Sequence, residues 1–156
     1  MSMRVREAQR KDWEGICQVE QEAFSQPWTK DAVIRELMNI DLTMYYVLED
    51  EQGVIWGYAG LWHVLDEGQI TNIALRKACR DRGYGELLLR LLMEAAWKRG
   101  CSVIFLEVRF SNLPALHLYR KLGYTVVSVR KQYYTQPTED AYVMSCEQKK
   151  YHWADK

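Results

Sequence analysis

The strongest constraint on this chain is the stretch from residue 69 to residue 108, which reads as one strand, one helix and a second strand. SVIFLEV (102–108) is an almost continuous apolar run, as in a strand covered on both faces. Ahead of it, Leu87, Leu88, Leu91, Leu92, Ala95 and Ala96 recur at helical spacing from Gly83 until Gly100 stops the helix. QITNIAL (69–75) supplies the earlier strand. The remaining segments fit around this unit. Residues 3–8 read as a strand. Residues 11–24 read as a helix through Trp13, Ile16, Cys17, Glu20 and Phe24. Thr29 is a good N-cap for a helix carrying Ala32, Val33, Leu37 and Met38. Strands at 43–50 and 54–64 flank a turn at 51–53, and Asn112 to Leu122 forms a helix ended by Gly123. Closing strands follow at 124–132 and 141–147. This order predicts an α/β domain with a mixed central sheet and helices on both faces.

At 156 residues the chain fits one domain, expected over 1–156 with a polar tail at about 148–156. Its 21 Lys+Arg balance 21 Asp+Glu, which argues against nucleic acid or a polybasic membrane contact as the main partner. No stretch has the apolar length of a membrane span, and the amino terminus lacks a signal-peptide block. A cytoplasmic location is the expectation. Cys17, Cys79, Cys101 and Cys146 are scattered, and His63, His117 and His152 form no ligand spacing, so no metal is expected.

The first chemical signal is the turn before the long helix. Arg76, Lys77, Arg80 and Arg82 fall within seven positions, followed by Gly83-Tyr84-Gly85. The first amides of a helix lack intrahelical acceptors and carry partial positive charge, so such a turn can cradle a phosphate. The same residues also suit a solvated basic loop. No Gly-Lys-Ser/Thr follows, which excludes a Walker loop. A dinucleotide fingerprint would need glycine where Leu88 stands, although Glu107 lies near where a ribose-binding acid would fall.

Arg80-x-x-Gly83-x-Gly85 at a strand–loop–helix junction resembles the acetyl-CoA motif of the GNAT acetyltransferases. Asn72-Ile73-Ala74-Leu75, Leu106-Glu107-Val108-Arg109-Phe110-Ser111-Asn112 and Ala115 to Tyr124 extend the likeness, as do Tyr133-Tyr134 and Glu139-Asp140-Ala141. Together they resemble the bacterial ribosomal protein alanine N-acetyltransferase branch over residues 3 to 147. The resemblance implies a GNAT-like sheet. It also implies acetyl-CoA as co-substrate, held by Ile73, Ala74, Leu75, Arg80, Asp81, Arg82, Gly83, Tyr84, Gly85, Glu86 and Asn112. Asp81 departs from the family pattern, which has an uncharged or basic residue there. Beside a pyrophosphate its side chain must point outward or pair with Arg80 or Arg82.

Amide formation from an amine and a thioester needs a neutral amine, a polarised carbonyl and a protonated leaving thiolate. Glu107, near the end of the apolar strand, suits a general base; the competing role is an ion pair with Arg109 or Arg130. The resemblance gives Glu107 the base role and Tyr119 that of the acid. It assigns the oxyanion contacts to backbone amides of 73–75, on a strand that splays from its neighbour. Asn112 can bind CoA, cap its helix, or do both. Cys79 stands near basic residues, yet no histidine is patterned with it, so a nucleophilic thiol is not expected. Trp28, Tyr133 and Tyr134 are candidates for an acceptor-peptide groove; the alternative is that they cap the core edge. The expected activity is therefore direct acetyl transfer, in a ternary complex, to an N-terminal alanine, with the amino-terminal segment of ribosomal protein S18 as partner. A GNAT enzyme for a small amine or lysine side chain, and a non-enzymatic CoA- or dinucleotide-binding module, are the competing readings.

Overall fold

A computed structural model describes residues 2–154; residues 1, 155 and 156, the ends of the expected domain, lie outside the described residues. Seven strands and four helices follow one another as β1 (Met3–Glu7), α1 (Trp13–Ala23), α2 (Lys30–Met38), β2 (Thr43–Asp50), β3 (Ile55–Val64), β4 (Glu67–Leu75), α3 (Tyr84–Lys98), β5 (Val103–Arg109), α4 (Leu113–Leu122), β6 (Thr125–Tyr134) and β7 (Glu139–Glu147). Each element expected from the sequence is present, with ends moved by at most two residues. The first helix starts at Trp13 because residues 10–12 form a 3-10 turn, in which the Asp12 carboxylate accepts from the Gln9 amide at 2.7 Å. Thr29 caps α2 as expected, accepting from the Ala32 amide at 3.2 Å.

The strands form one sheet in the order β1-β2-β3-β4-β5-β7-β6. Every neighbouring pair is antiparallel except β4 and β5, which run parallel. That parallel pairing is short: Glu67, Gly68 and Gln69 face Val103, Ile104 and Phe105, and the register ends there. A bulge in the β3–β4 ladder leaves Thr71 without an opposite residue and adds to the twist of β4 as it parts from β5.

Two cores fix the layers. On one side α3 and α4 bury Leu88, Leu89, Leu92, Met93, Leu116 and Leu122 against Leu48, Leu61, Ile104 and Leu106. On the other, α1 and α2 bury Ile16, Val19 and Val33 against Tyr45, Val47 and Tyr58. Truncating any of the fully buried leucines of α3 should cost about 2–5 kcal/mol. The buried face of this helix is turned from the expected one. Leu87 and Leu91 are exposed, while Leu89, Met93 and Trp97 are buried. The run from Leu87 to Met93 is apolar on nearly every side, so its spacing alone does not choose a face.

A second correction concerns β5. Expected to be covered on both faces, it alternates: Ile104, Leu106 and Val108 are buried, whereas Val103, Phe105, Glu107 and Arg109 are partly exposed. The reason lies in the helix layer, because α1 and α2 pack on β2, β3 and β4 and stop short of β5. Gly123 ends α4 as expected, at φ 112, where a side chain would also overlap the Lys150 carbonyl.

Candidate active site

Where β4 and β5 separate, the sheet opens into a cleft of about 990 Å³. Its walls are residues 70–75 of β4 and 106–109 of β5. Its two ends are the turn before α3 and the β6–β7 hairpin. The carboxyl ends of two diverging parallel strands form a natural ligand crevice, because their outer backbone groups have lost their ladder partners. The backbone of Ile73, Ala74 and Leu75 is paired with β3 through Ala59, Tyr58 and Gly57, and has no β5 partner.

At the α3 end, Gly83 stands at the N-cap with φ 84 and supplies no side-chain cap to the helix. The amides that follow it are therefore open to an anion. Arg80, Asp81, Gly83, Gly85 and Glu86 line the cleft here; Arg82 and Tyr84 fall outside its lining. Arg80 donates from Nε to the Leu75 carbonyl at 3.2 Å, which ties the basic turn to the end of β4. Asp81 is exposed, at φ 62, and no described ion pair joins it to Arg80 or Arg82. Arg76 is engaged elsewhere, donating to Gln18 at 2.7 Å and lying 5.4 Å over the Trp56 ring. Glu86, an acid at a helix start that would repel an anion, is neutralised by Lys121 at 2.7 Å and Arg90 at 2.9 Å. Those two hydrogen bonds, Lys121 first, hold its carboxyl below the usual range.

Glu107 lies midway along the cleft with its side chain 15% exposed. Oε2 accepts from Gln69 Nε2 at 2.9 Å, and Oε1 stands 3.8 Å from the Arg130 guanidinium. Of the two ion-pair partners considered for it, Arg130 is the one nearby. Arg109 is turned away, donating to Glu139 at 3.4 Å and to the Pro137 carbonyl at 2.9 Å. Tyr119 of α4 lines the same cleft, 7% exposed, with its ring 5.7 Å from Tyr124. Burial alone pushes its phenol up to about 12, so it stays protonated at neutral pH. Asn112 lines the cleft and also caps α4, Oδ1 accepting from Ala115 at 3.3 Å. Cys79 is buried outside the cleft lining. Burial raises its thiol despite Arg82 and Arg76, the reverse of an activated nucleophile.

At the far end Tyr133 and Tyr134 line the cleft, their rings edge-to-face at 5.0 Å. Arg109 stacks 4.3 Å over Tyr134 and Arg130 lies 5.3 Å over Tyr133. Trp28 is not part of the lining. It packs against the α1–α2 core, with its amide donating to Glu20 at 2.8 Å, and the cleft wall there is Ala23 and Phe24. Reading the sequence missed Phe24 as a wall, Gln69 as a partner of Glu107, and a buried network at the floor of β4. In that network Glu20 accepts from Tyr58 at 2.6 Å and from Asn72 at 3.0 Å. One signal for it existed, a glutamate on the apolar face of the first helix.

The chain is similar to known proteins along most of its length. The family model described as Acetyltransferase (GNAT) family matches residues 13–124. A Bacillus subtilis (strain 168) protein, provisionally named ribosomal protein bS18-alanine N-acetyltransferase, is 39% identical over 140 residues, covering 90% of this chain and 92% of its own. The Haemophilus influenzae protein of that name is 36% identical over 142 residues, covering 86% and 92%. Among solved structures, the crystal structure of the ribosomal-protein-S18-alanine N-acetyltransferase from Escherichia coli superposes with a TM-score of 0.86 at 27% identity, covering 99% of this chain and 98% of that one.

Proposed function

Because the chain belongs to the GNAT acetyltransferase family, we propose that it moves an acetyl group from acetyl-CoA to the α-amine of an N-terminal alanine, with ribosomal protein S18 as its acceptor. The observation that carries the reaction is the pairing of Glu107 and Tyr119 in one cleft at the β4–β5 opening. In this reading the described chain acts as one catalytic domain. It works in the cytoplasm, where acetyl-CoA and ribosomal proteins meet.

The residues present suit the co-substrate. Amides 84–86 and the Gly83 turn would receive the pyrophosphate, with charge from Arg80. The unpaired backbone of 73–75 would lie along the acyl-bearing arm and donate to the thioester carbonyl. Asn112 adds an amide at the α4 end. The peptide amine then attacks the carbonyl carbon, and the carbon–sulfur bond breaks. The amine proton passes to Glu107, directly or through one water. The departing thiolate takes its proton from the Tyr119 phenol, which burial keeps protonated. An α-amine, with a reference pKa of about 8, needs only modest help at physiological pH. The acceptor end of the groove is assigned to Phe24, Tyr133 and Tyr134. Trp28 acts on it only indirectly, through the α1–α2 connection.

Intact-mass measurement tests this reading. A peptide beginning with Ala should gain one acetyl group at its α-amine, while the same peptide with a blocked terminus and free lysines should stay unmodified. Faster acetylation of lysine side chains or polyamines would overturn the acceptor assignment, and acetyl-CoA binding without any turnover would overturn the enzyme.

A further inference from the structure

The parallel seam between β4 and β5 ends at the pair Gln69–Phe105. Side chains alternate along a strand, so Phe105 and Glu107 lie on one face, the face that α1 and α2 leave open. The backbone ladder fails just beyond Gln69, and there the side chain of Gln69 crosses the gap, its Nε2 donating to Glu107 Oε2 at 2.9 Å. A partly exposed glutamate on an open strand face would otherwise sample several rotamers. One oxygen of Glu107 is thereby fixed. The other, Oε1, stays beyond hydrogen-bond distance of Arg130 at 3.8 Å and is free to take a proton.

We propose that Gln69 is a positioning residue for acetyl transfer, holding the Glu107 carboxylate at the root of the cleft; this rests on the base role assigned to Glu107 above. An uncharged amide suits the task. It orients the carboxylate without bringing a second full cation to compete for the proton. The other groups around Glu107 do not do this work. Arg130, from β6, is the only guanidinium within 4.0 Å of it among the described residues. Arg109, on β5 itself, is committed to Glu139 and to the Thr135 and Pro137 carbonyls. Tyr134 from β6 and Tyr119 from α4 line the cleft as phenols, and Val143 on β7 stands opposite Glu107 in register. Among the described residues Gln69 is thus the one neutral donor bonded to the base.

The test is steady-state kinetics on the whole protein, run on the parent, on Gln69→Met, on Gln69→Glu and on Glu107→Gln. Gln69→Met removes the donor to Glu107, and Gln69→Glu sets a second carboxylate beside the first. With an Ala-initiated peptide, kcat should fall by roughly 3–30-fold in both variants while the KM for acetyl-CoA stays within about twofold. Should Gln69→Met fail to fold, Gln69→Glu carries the test alone, since it matches the native side chain in size. Parental kcat in both Gln69 variants, or a rise in the acetyl-CoA KM that accounts for the whole loss, would overturn the positioning role while leaving the base role intact. Parental turnover in Glu107→Gln would instead remove the base role, and the proposal with it.

Discussion

At the scale of single residues, the proposed chemistry asks for a carboxylate free to accept and a phenol that stays protonated. Glu107→Gln keeps the shape and the Gln69 contact side but cannot take a proton. It should lower kcat/KM for an Ala-initiated peptide by roughly 10²–10⁴-fold, with acetyl-CoA affinity unchanged by calorimetry. Tyr119→Phe removes only the hydroxyl from a 7%-exposed ring, so the fold should persist. Steady-state kinetics should show kcat reduced by roughly 10–100-fold and the peptide KM little moved. A thioester analogue with a more acidic leaving thiol should narrow that deficit, because its thiolate departs without needing the proton. Both were legible as candidates through the family resemblance of the segments that carry them, whereas composition and spacing alone left an ion pair for Glu107 and core packing for Tyr119. Gln69 was not, because its partner is 38 positions away and meets it only through sheet register. Trp28, a groove candidate on its Pro-Trp loop, is partly buried and packs against the α1–α2 core outside the cleft lining.

At the scale of elements, the amino end of α3 and the rim of the cleft can be tested separately. Gly83 has φ 84, and a side chain built there meets nothing within 4 Å, so a larger residue would act through backbone strain alone. Gly83→Val should leave the helix and core in place while pulling the following amides out of line. Acetyl-CoA affinity should fall by about tenfold or more, measured by calorimetry, and the parent's own affinity should weaken as salt rises. Undiminished binding in the variant would remove the cradle. The order and type of every strand and helix were legible, because periodicity and stop signals act over short distances. The exposed face of β5 was not. Whether an apolar strand is covered on one side or two depends on where helices from distant parts of the chain come to rest. For the same reason the apolar run of α3 did not reveal its inward face.

For the whole molecule, stability should carry a pH signature from the end of the sheet opposite β6. Arg6 of β1 donates to Asp12 at 2.8 and 2.9 Å and to Glu49 of β2 at 2.9 Å, while Arg4 adds a contact to Glu49 at 2.6 Å. The Glu49 carboxyl is held below its usual range, chiefly by the hydrogen bond from Arg6. For Asp12, burial pushes upward most strongly, but the Arg6 and Gln9 hydrogen bonds and the charges of Arg6 and Lys11 together outweigh it. Groups whose folded values are depressed bind protons more readily when unfolded. Their contribution is therefore complete above the unfolded values near about 4 and drains away as pH falls through the lower folded ones. Urea midpoints should hold steady between about pH 5 and 7 and drop steeply below about pH 4. Arg6→Met should flatten that acid slope while lowering stability at neutral pH.

The brevity of the β4–β5 pairing has a mechanical meaning. In the ladder three residue pairs join β1–β4 to β5–β7, above the core that α3 and α4 share with both halves, so the sheet is built like a book with a short spine. Beyond that spine the two covers stand apart, with no ladder between Leu75 and Arg109. Whatever fills that opening must bridge both covers, and it would stiffen the hinge as well as occupy the space. Deuterium exchange at residues 70–75 and 106–109 should therefore slow together when acetyl-CoA is added, even at amides the ligand never touches. An enzyme hinged this way would be loosest between turnovers, when its product must leave.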